Sequence, residues 1–378
     1  MPDSRLAWVD AAKGLSILLV VVHHTVTYLQ MAGLAPAAVV VGNEALASLR
    51  MPLFFLAAGL FVAGPLAAPW RSLLHKRVAF FLYLYLLWTL IRFTFFATLV
   101  PPAVDPNDSA NPESLIWALL LPGPSMWFLY ALALFSVIGK LARRVPAAVQ
   151  LGLSGVLSAL TGAGLLEFDS RWAYMARFLF FFLLGWHAKV LIERLARSTS
   201  LLKVVAAAGA CVLCAVGAVA LQARPLPGVA LALNCVAVVF GVLFTAWICR
   251  YRIGLPLVQL GQQTLPVYLV HMLWLAAIMT GLRHVEVSPV VGYVLPIVLA
   301  VLLVALSLLT HRVLVVLGAT ALFALPSALA ARTRSPRHRM PAQRGESSRQ
   351  PAVVREPAPA LIAARHRRPE SSPGRPGR

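Results

Sequence analysis

Apolar runs of about twenty residues recur along nearly the whole chain, separated by short polar connections. Candidate spans fall at 14–31, 44–63, 78–100, 115–138, 147–165, 174–191, 202–221, 228–249, 264–282 and 291–318. Each has about the length that a helix needs to cross a ~30 Å hydrocarbon core. The pattern predicts an all-α polytopic membrane protein with about ten transmembrane helices. The connections alternate in charge. Arg71, Lys76 and Arg77 follow the second span, and Lys140, Arg143 and Arg144 follow the fourth. Lys189, Arg194, Arg197 and Lys203 flank the sixth connection, and Arg250 and Arg252 the eighth. The intervening connections are poor in basic residues. The third carries Asp105, Asp108 and Glu113, and the fifth carries Glu167 and Asp169 with only Arg171. Basic loops stay in the cytoplasm, so both termini are expected there.

Composition agrees with this pattern. The chain is 60% hydrophobic and 12% charged, with mean hydropathy +0.81, against about 25% charged residues in a soluble domain. The net charge of +20 suggests nucleic acid until its distribution is considered. The basic residues sit in short loops and in an Arg/Pro/Ser/Gly-rich stretch after Ala331. That stretch lacks aromatic residues for base stacking, so no nucleic-acid partner is expected. We divide the chain into a transmembrane domain, 1–330, and a disordered basic cytoplasmic tail, 331–378, that rests on anionic lipid heads. Cys211, Cys214, Cys235 and Cys249 all lie in apolar runs and read as packed helix residues, with no metal site expected. The first run has leader-like features, but His23 and His24 in its centre argue for an uncleaved helix.

That first run, RLAWVDAAKGLSILLVVVHHTVTY, also carries the candidate chemistry. A helix advances ~100° and ~1.5 Å per residue. Lys13 and His24, eleven residues apart, therefore fall within ~20° of one another and ~16 Å apart along the axis. Asp10 shares their face, placed to pair with Lys13 or to cap the helix. Ionisable groups at such depth mark a functional site facing the protein interior. His24 is the candidate general base. His23 points ~100° away and reads as structural. Lys13, at the cytoplasmic mouth, either holds a donor's phosphate or carbonyl oxygen or snorkels to the interface. Arg50, Arg92 and Arg177 lie in or beside spans and line a hydrated cavity or bind anionic groups, with snorkelling the alternative for Arg50 and Arg177. His271 either lines the cavity of His24 or packs. His311 and Arg312 read as interface residues. No P-loop, GxSxG, HExxH or dinucleotide fingerprint occurs in a fitting context.

These residues resemble the membrane acyltransferase-3 family. That family opens with a basic residue, ten residues and a histidine, here Lys13 to His24 in DAAKGLSILLVVVHH. Its second-helix M-P-x-F-F run is similar to MPLFFLAAG, Met51 to Gly59, and its W-x-L helix start to WFLYAL at Trp127. Its late Leu-Pro-x-Tyr-x-x-His run is similar to LPVYLVH, ending at His271. The KG pair looks most like the stand-alone, sugar O-acetylase branch. Ala58 stands where the family has serine, Phe80 where it has a second arginine, and Leu132 where one branch has glutamate.

The resemblance implies a multi-pass enzyme of the cytoplasmic membrane. It would move an acyl group, most simply acetyl, from acyl-CoA to a hydroxyl of a carbohydrate, glycan or lipid-linked acceptor of the cell envelope. No permanently bound cofactor is implied; acetyl-CoA is a substrate. His24 and Lys13 would be catalytic, and Lys13 and Arg77 would hold the donor. Arg50, Arg92, His271 and Trp127 would meet the substrate. A transporter or exporter of a small or lipid-linked molecule also fits ten spans with embedded arginines, though no internal repeat supports it. A non-catalytic scaffold recruited through the tail is a third reading.

Overall fold

The computed structural model describes residues 4–105, 109–120, 122–123, 126–166, 169–282 and 288–326. The tail expected over 331–378 lies outside them, as do Asp108 and Glu167. Among the described residues the chain is all helix, without strands. The order is α1 (Ser4–Met31), α2 (Ala37–Ala45), α3 (Ala47–Gly59), α4 (Ala63–Ala67), α5 (Trp70–Leu73), a π-helical turn (Leu74–Val78) and α6 (Ala79–Leu99). Then come α7 (Pro112–Ile116), α8 (Trp127–Leu141), α9 (Ala147–Gly162), α10 (Ser170–His187) and α11 (Lys189–Arg197). The last are α12 (Leu201–Ala220), α13 (Val229–Ile248), α14 (Leu255–Gln262), α15 (Thr264–Leu282) and α16 (Pro289–Val316).

Seven of these segments are long and apolar enough to cross a membrane, and eight if α10 and α11, bent by 77° at Ala188, count as one span. The protein is thus an all-α polytopic membrane protein, but two of the ten expected spans fall short. The run 115–138 is not one helix. Pro122 and Gly123 interrupt it, and α8, with 15 residues, extends only ~22 Å at 1.5 Å per residue. Likewise α9 has 16 residues, short of a ~30 Å core. Neither limit shows in hydropathy, which stays high across the break.

Two backbone crossings set the position of α1 and α3. A Cβ on Gly14 would lie 2.0 Å from the Leu257 carbonyl oxygen, and one on Gly261 would lie 1.7 Å from that of Asp10. The paired glycines let α1 touch α14 backbone to backbone, as small residues do in membrane helix pairs. Gly59 and Gly185 do the same for α3 and α10, with 2.1 and 2.2 Å to Phe182 and Leu56 carbonyls. Replacing Gly261 by leucine should separate α1 from α14. The expected outcome is loss of monodisperse protein in detergent size-exclusion chromatography, whereas Gly209→Leu, a site with nothing within 4 Å, should elute as wild type.

The MPLFF run supplies the aromatic centre of the bundle. Phe54 stacks on Phe128 at 4.4 Å, while Phe55 meets Phe128, Phe135, Trp127 and Phe178 at 4.8 to 5.8 Å. Offset and tilted rings at these distances favour one another beyond simple burial. The run thereby ties α3 to α8 and α10, around the space described next.

Candidate active site

One face of α1 opens onto a cavity of about 750 Å³. Val20, His23, His24 and Thr27 line it, a spacing of three and four residues that gives one helical face. The opposite walls come from α3, α8, α10, α12 and α13, with Arg50, Trp127, Tyr174, Arg177 and Asn234 among the lining side chains. His24 therefore stands where a ligand can reach it, and neither of its ring nitrogens has a hydrogen-bond partner among the described residues.

The two neighbouring histidines are held in defined tautomers. Behind His24 stands the His271 ring, with centroids 5.4 Å apart. His271 Nδ1 lies 2.8 Å from the Val267 carbonyl oxygen. A carbonyl only accepts, so Nδ1 carries the proton and Nε2 presents a lone pair. That Nε2 is buried without a partner. On the other side the His23 ring lies 5.1 Å from His24. Its tautomer follows from a chain that begins at Arg50, which can only donate. Arg50 Nη1 donates to Asn43 Oδ1 at 3.1 Å, and Asn43 Nδ2 lies 3.1 Å from His23 Nδ1. The amide nitrogen thus donates to Nδ1, and neutral His23 carries its proton on Nε2. His23 is not the bystander its ~100° offset suggests: two adjacent residues on a helix can both face a wide cavity.

The remaining expected residues fall into two groups. Arg50 and Trp127 line the cavity, whereas Lys13, Arg77, Arg92 and His271 do not. Lys13 forms an ion pair with Asp10 at 2.7 Å, and Gln262 of α14 donates to the same carboxylate at 3.3 Å. Helical register carries the lining face of α1 back through Ser16 to Lys13, and Ser16 is fully buried with its hydroxyl unpartnered. Arg77 sits in the π-helical turn, a deformation frequent at functional sites. Its Nε donates to Ser136 Oγ at 2.8 Å, and its guanidinium covers the Phe81 ring at 5.4 Å. Arg92 is buried over Phe96, donates to Ser109 Oγ, and is linked by that hydroxyl to Asp105.

Several cavity residues escaped the sequence reading. Arg171 and Tyr174 are two of them, spaced three residues apart on α10 in step with Arg177, which the sequence reading names and which lines the cavity. Arg224, from the turn between α12 and α13, and Glu44, from the end of α2, reach the cavity by an approach that only the fold defines. Arg171 is paired with Asp169 at 2.8 Å, and its guanidinium hydrogen bond holds the Asp169 carboxyl below the usual carboxylate range. The Cys211–Cys214 pair, read as helix packing, lines the cavity instead, because residues three apart share a face; both thiols are free.

The chamber, lined by His23, His24 and several arginines, lies within the helices of a polytopic membrane protein. Its family is settled by comparison: the chain belongs to the acyltransferase-3 family, whose "Acyltransferase domain" profile matches residues 6–310. The protein is therefore a membrane acyltransferase. Comparison with curated proteins and with solved structures gave no match.

Proposed function

We propose that the protein transfers an acetyl group from acetyl-CoA to a hydroxyl of an envelope carbohydrate or glycan, working in the cytoplasmic membrane. The observation that carries this reading is His24, unpartnered in a chamber wide enough for a sugar. His24 takes the proton from the acceptor hydroxyl as the oxygen attacks the thioester carbonyl. The Nε2–H of His23 donates to the oxygen on which negative charge develops. The carbon–sulfur bond then breaks, the proton passes from His24 to the departing thiolate, and the products are an O-acyl ester and free CoA. His271 packs against His24 from behind, ring to ring at 5.4 Å.

The two substrates approach from opposite ends. Lys13 and Arg77 lie in the half of the bundle that carries the basic connections, which the positive-inside rule assigns to the cytosol. They would attract the phosphates of CoA. The cavity walls that carry Glu44, Arg171 and Arg224 belong to the other end, from which the acceptor enters. Proteoliposomes containing the purified chain, given acetyl-CoA and an envelope glycan fraction, should release CoA thiol only when both are present. Thiol release that ignores the glycan would contradict this reading. Lys13→Gln should raise the KM for acetyl-CoA about tenfold, in the range of one charge-assisted contact, with little change in the half-saturating acceptor concentration.

A further inference from the structure

Resting on that reading, and naming its acceptor more closely, we propose that the acceptor is an acidic carbohydrate, a sugar carrying a carboxylate or phosphate that Arg177 and Arg224 bind. Four guanidinium groups line the cavity, those of Arg50, Arg171, Arg177 and Arg224. Asp169 neutralises Arg171. Among the described residues no ion pair reaches the other three, and Glu44 is the one carboxylate in the lining. Arg50 Nη1 is held by the Asn43 backbone and side-chain oxygens. Arg177 gives one Nη2 bond to the Thr161 carbonyl at 2.9 Å and lies over the Tyr174 ring at 5.6 Å, while its Nε has no partner. Excess positive charge in a partly enclosed, partly apolar chamber is costly unless a ligand supplies anions. The planar fork of arginine matches carboxylate and phosphate oxygens in pairs.

The donor's own phosphates do not account for these cations. They enter from the end of the bundle that holds Lys13 and Arg77, whereas Arg224 lies in the turn between α12 and α13, and Arg177, in the first half of α10, reaches the Thr161 carbonyl in the last turn of α9. Both belong to the opposite end. Beside them runs an aromatic wall in which Trp127 stacks on Tyr174 at 6.2 Å and on Phe178 at 6.0 Å. Flat amphipathic faces next to guanidinium forks suit a sugar ring with an acidic substituent better than an acyl chain.

The test uses membranes containing the full chain and acetyl-CoA labelled in its acetyl group. Residual acetyl-CoA is first removed on charcoal through its adenine, and the alkali-labile product is then run on an anion exchanger and partitioned between organic and aqueous phases. The expected product is retained by the exchanger and stays aqueous. The double variant Arg177→Gln/Arg224→Gln should raise the half-saturating concentration of the acceptor fraction about tenfold or more and leave the KM for acetyl-CoA unchanged. Arg224→Gln alone, in a surface turn, gives the same direction if the double variant expresses poorly. A product that passes through the exchanger as neutral would overturn the proposal, as would unaltered acceptor kinetics in the variants. A retained product that moves to the organic phase would place the anion on a lipid headgroup and overturn the carbohydrate assignment. Failure to form any alkali-labile product would instead remove the acyl-transfer reading on which the proposal rests.

Discussion

Replacing His24 by alanine should lower kcat for acyl transfer by about 10²–10⁴-fold, the range of a lost general base, or roughly 3–5 kcal/mol of transition-state stabilisation at 1.36 per decade. The KM for acetyl-CoA should change little, because Lys13, at the far end of α1, does not line the His24 cavity. The protein should still fold. His24 has no hydrogen-bond partner to lose among the described residues, and truncation enlarges a chamber that already exists. His24→Gln should be equally inactive, since an amide keeps the size and polarity of the ring without its basicity. The measurement is steady-state transfer by purified variants matched for size-exclusion profile. Activity within tenfold of wild type in His24→Gln would remove the histidine from the chemistry.

The second large effect concerns His23. His23→Leu should lower kcat about 10²–10³-fold, as does the loss of one oxyanion donor, whereas His23→Gln, which retains an N–H, should stay within about tenfold of wild type. Asn43→Asp tests the chain that sets the tautomer. A carboxylate at 43 can accept from Arg50 but cannot donate to His23 Nδ1. The ring must then carry its proton on Nδ1, and the neutral form loses the Nε2–H that the reaction uses. The expected outcome is a fall in kcat towards that of His23→Leu, accompanied by a change of the His23 nitrogen shifts from the Nε2–H to the Nδ1–H pattern in NMR of labelled protein. A merely structural Asn43 would lower the amount of folded protein without moving the tautomer. Full kcat in His23→Leu would remove the oxyanion role while leaving His24 in place.

How far the sequence led can be followed residue by residue. The helix bearing Lys13 and His24 was legible because helical spacing fixes a shared face without knowledge of any neighbour. The MPLFF run was legible as a motif, yet its physical role, joining α3 to α8 and α10 through Phe55, needed the packed bundle. The His23–Asn43–Arg50 chain was not legible: α1 and α2 meet only because the chain turns back after Gly33, where φ is +72°, and hydropathy carries no trace of that contact. The shortness of α8 and α9 was hidden for a different reason. Leucines on both sides of Pro122 and Gly123 kept the apolar average high where the helix ends. Arg171, Tyr174 and Arg177, spaced by three along α10, were separable from lipid-facing positions only once α12 and α13 closed the chamber opposite them.

The central claim is that His24 drives the attachment of an acyl group to a hydroxyl of an envelope glycan. Mass spectrometry of envelope glycans from cells lacking the protein, complemented with either wild type or His24→Gln at equal membrane abundance, tests it most directly. The account predicts an alkali-labile acyl mass on a glycan fragment with wild type and its absence with the variant. The same acyl mass on the same fragment in both strains would contradict it.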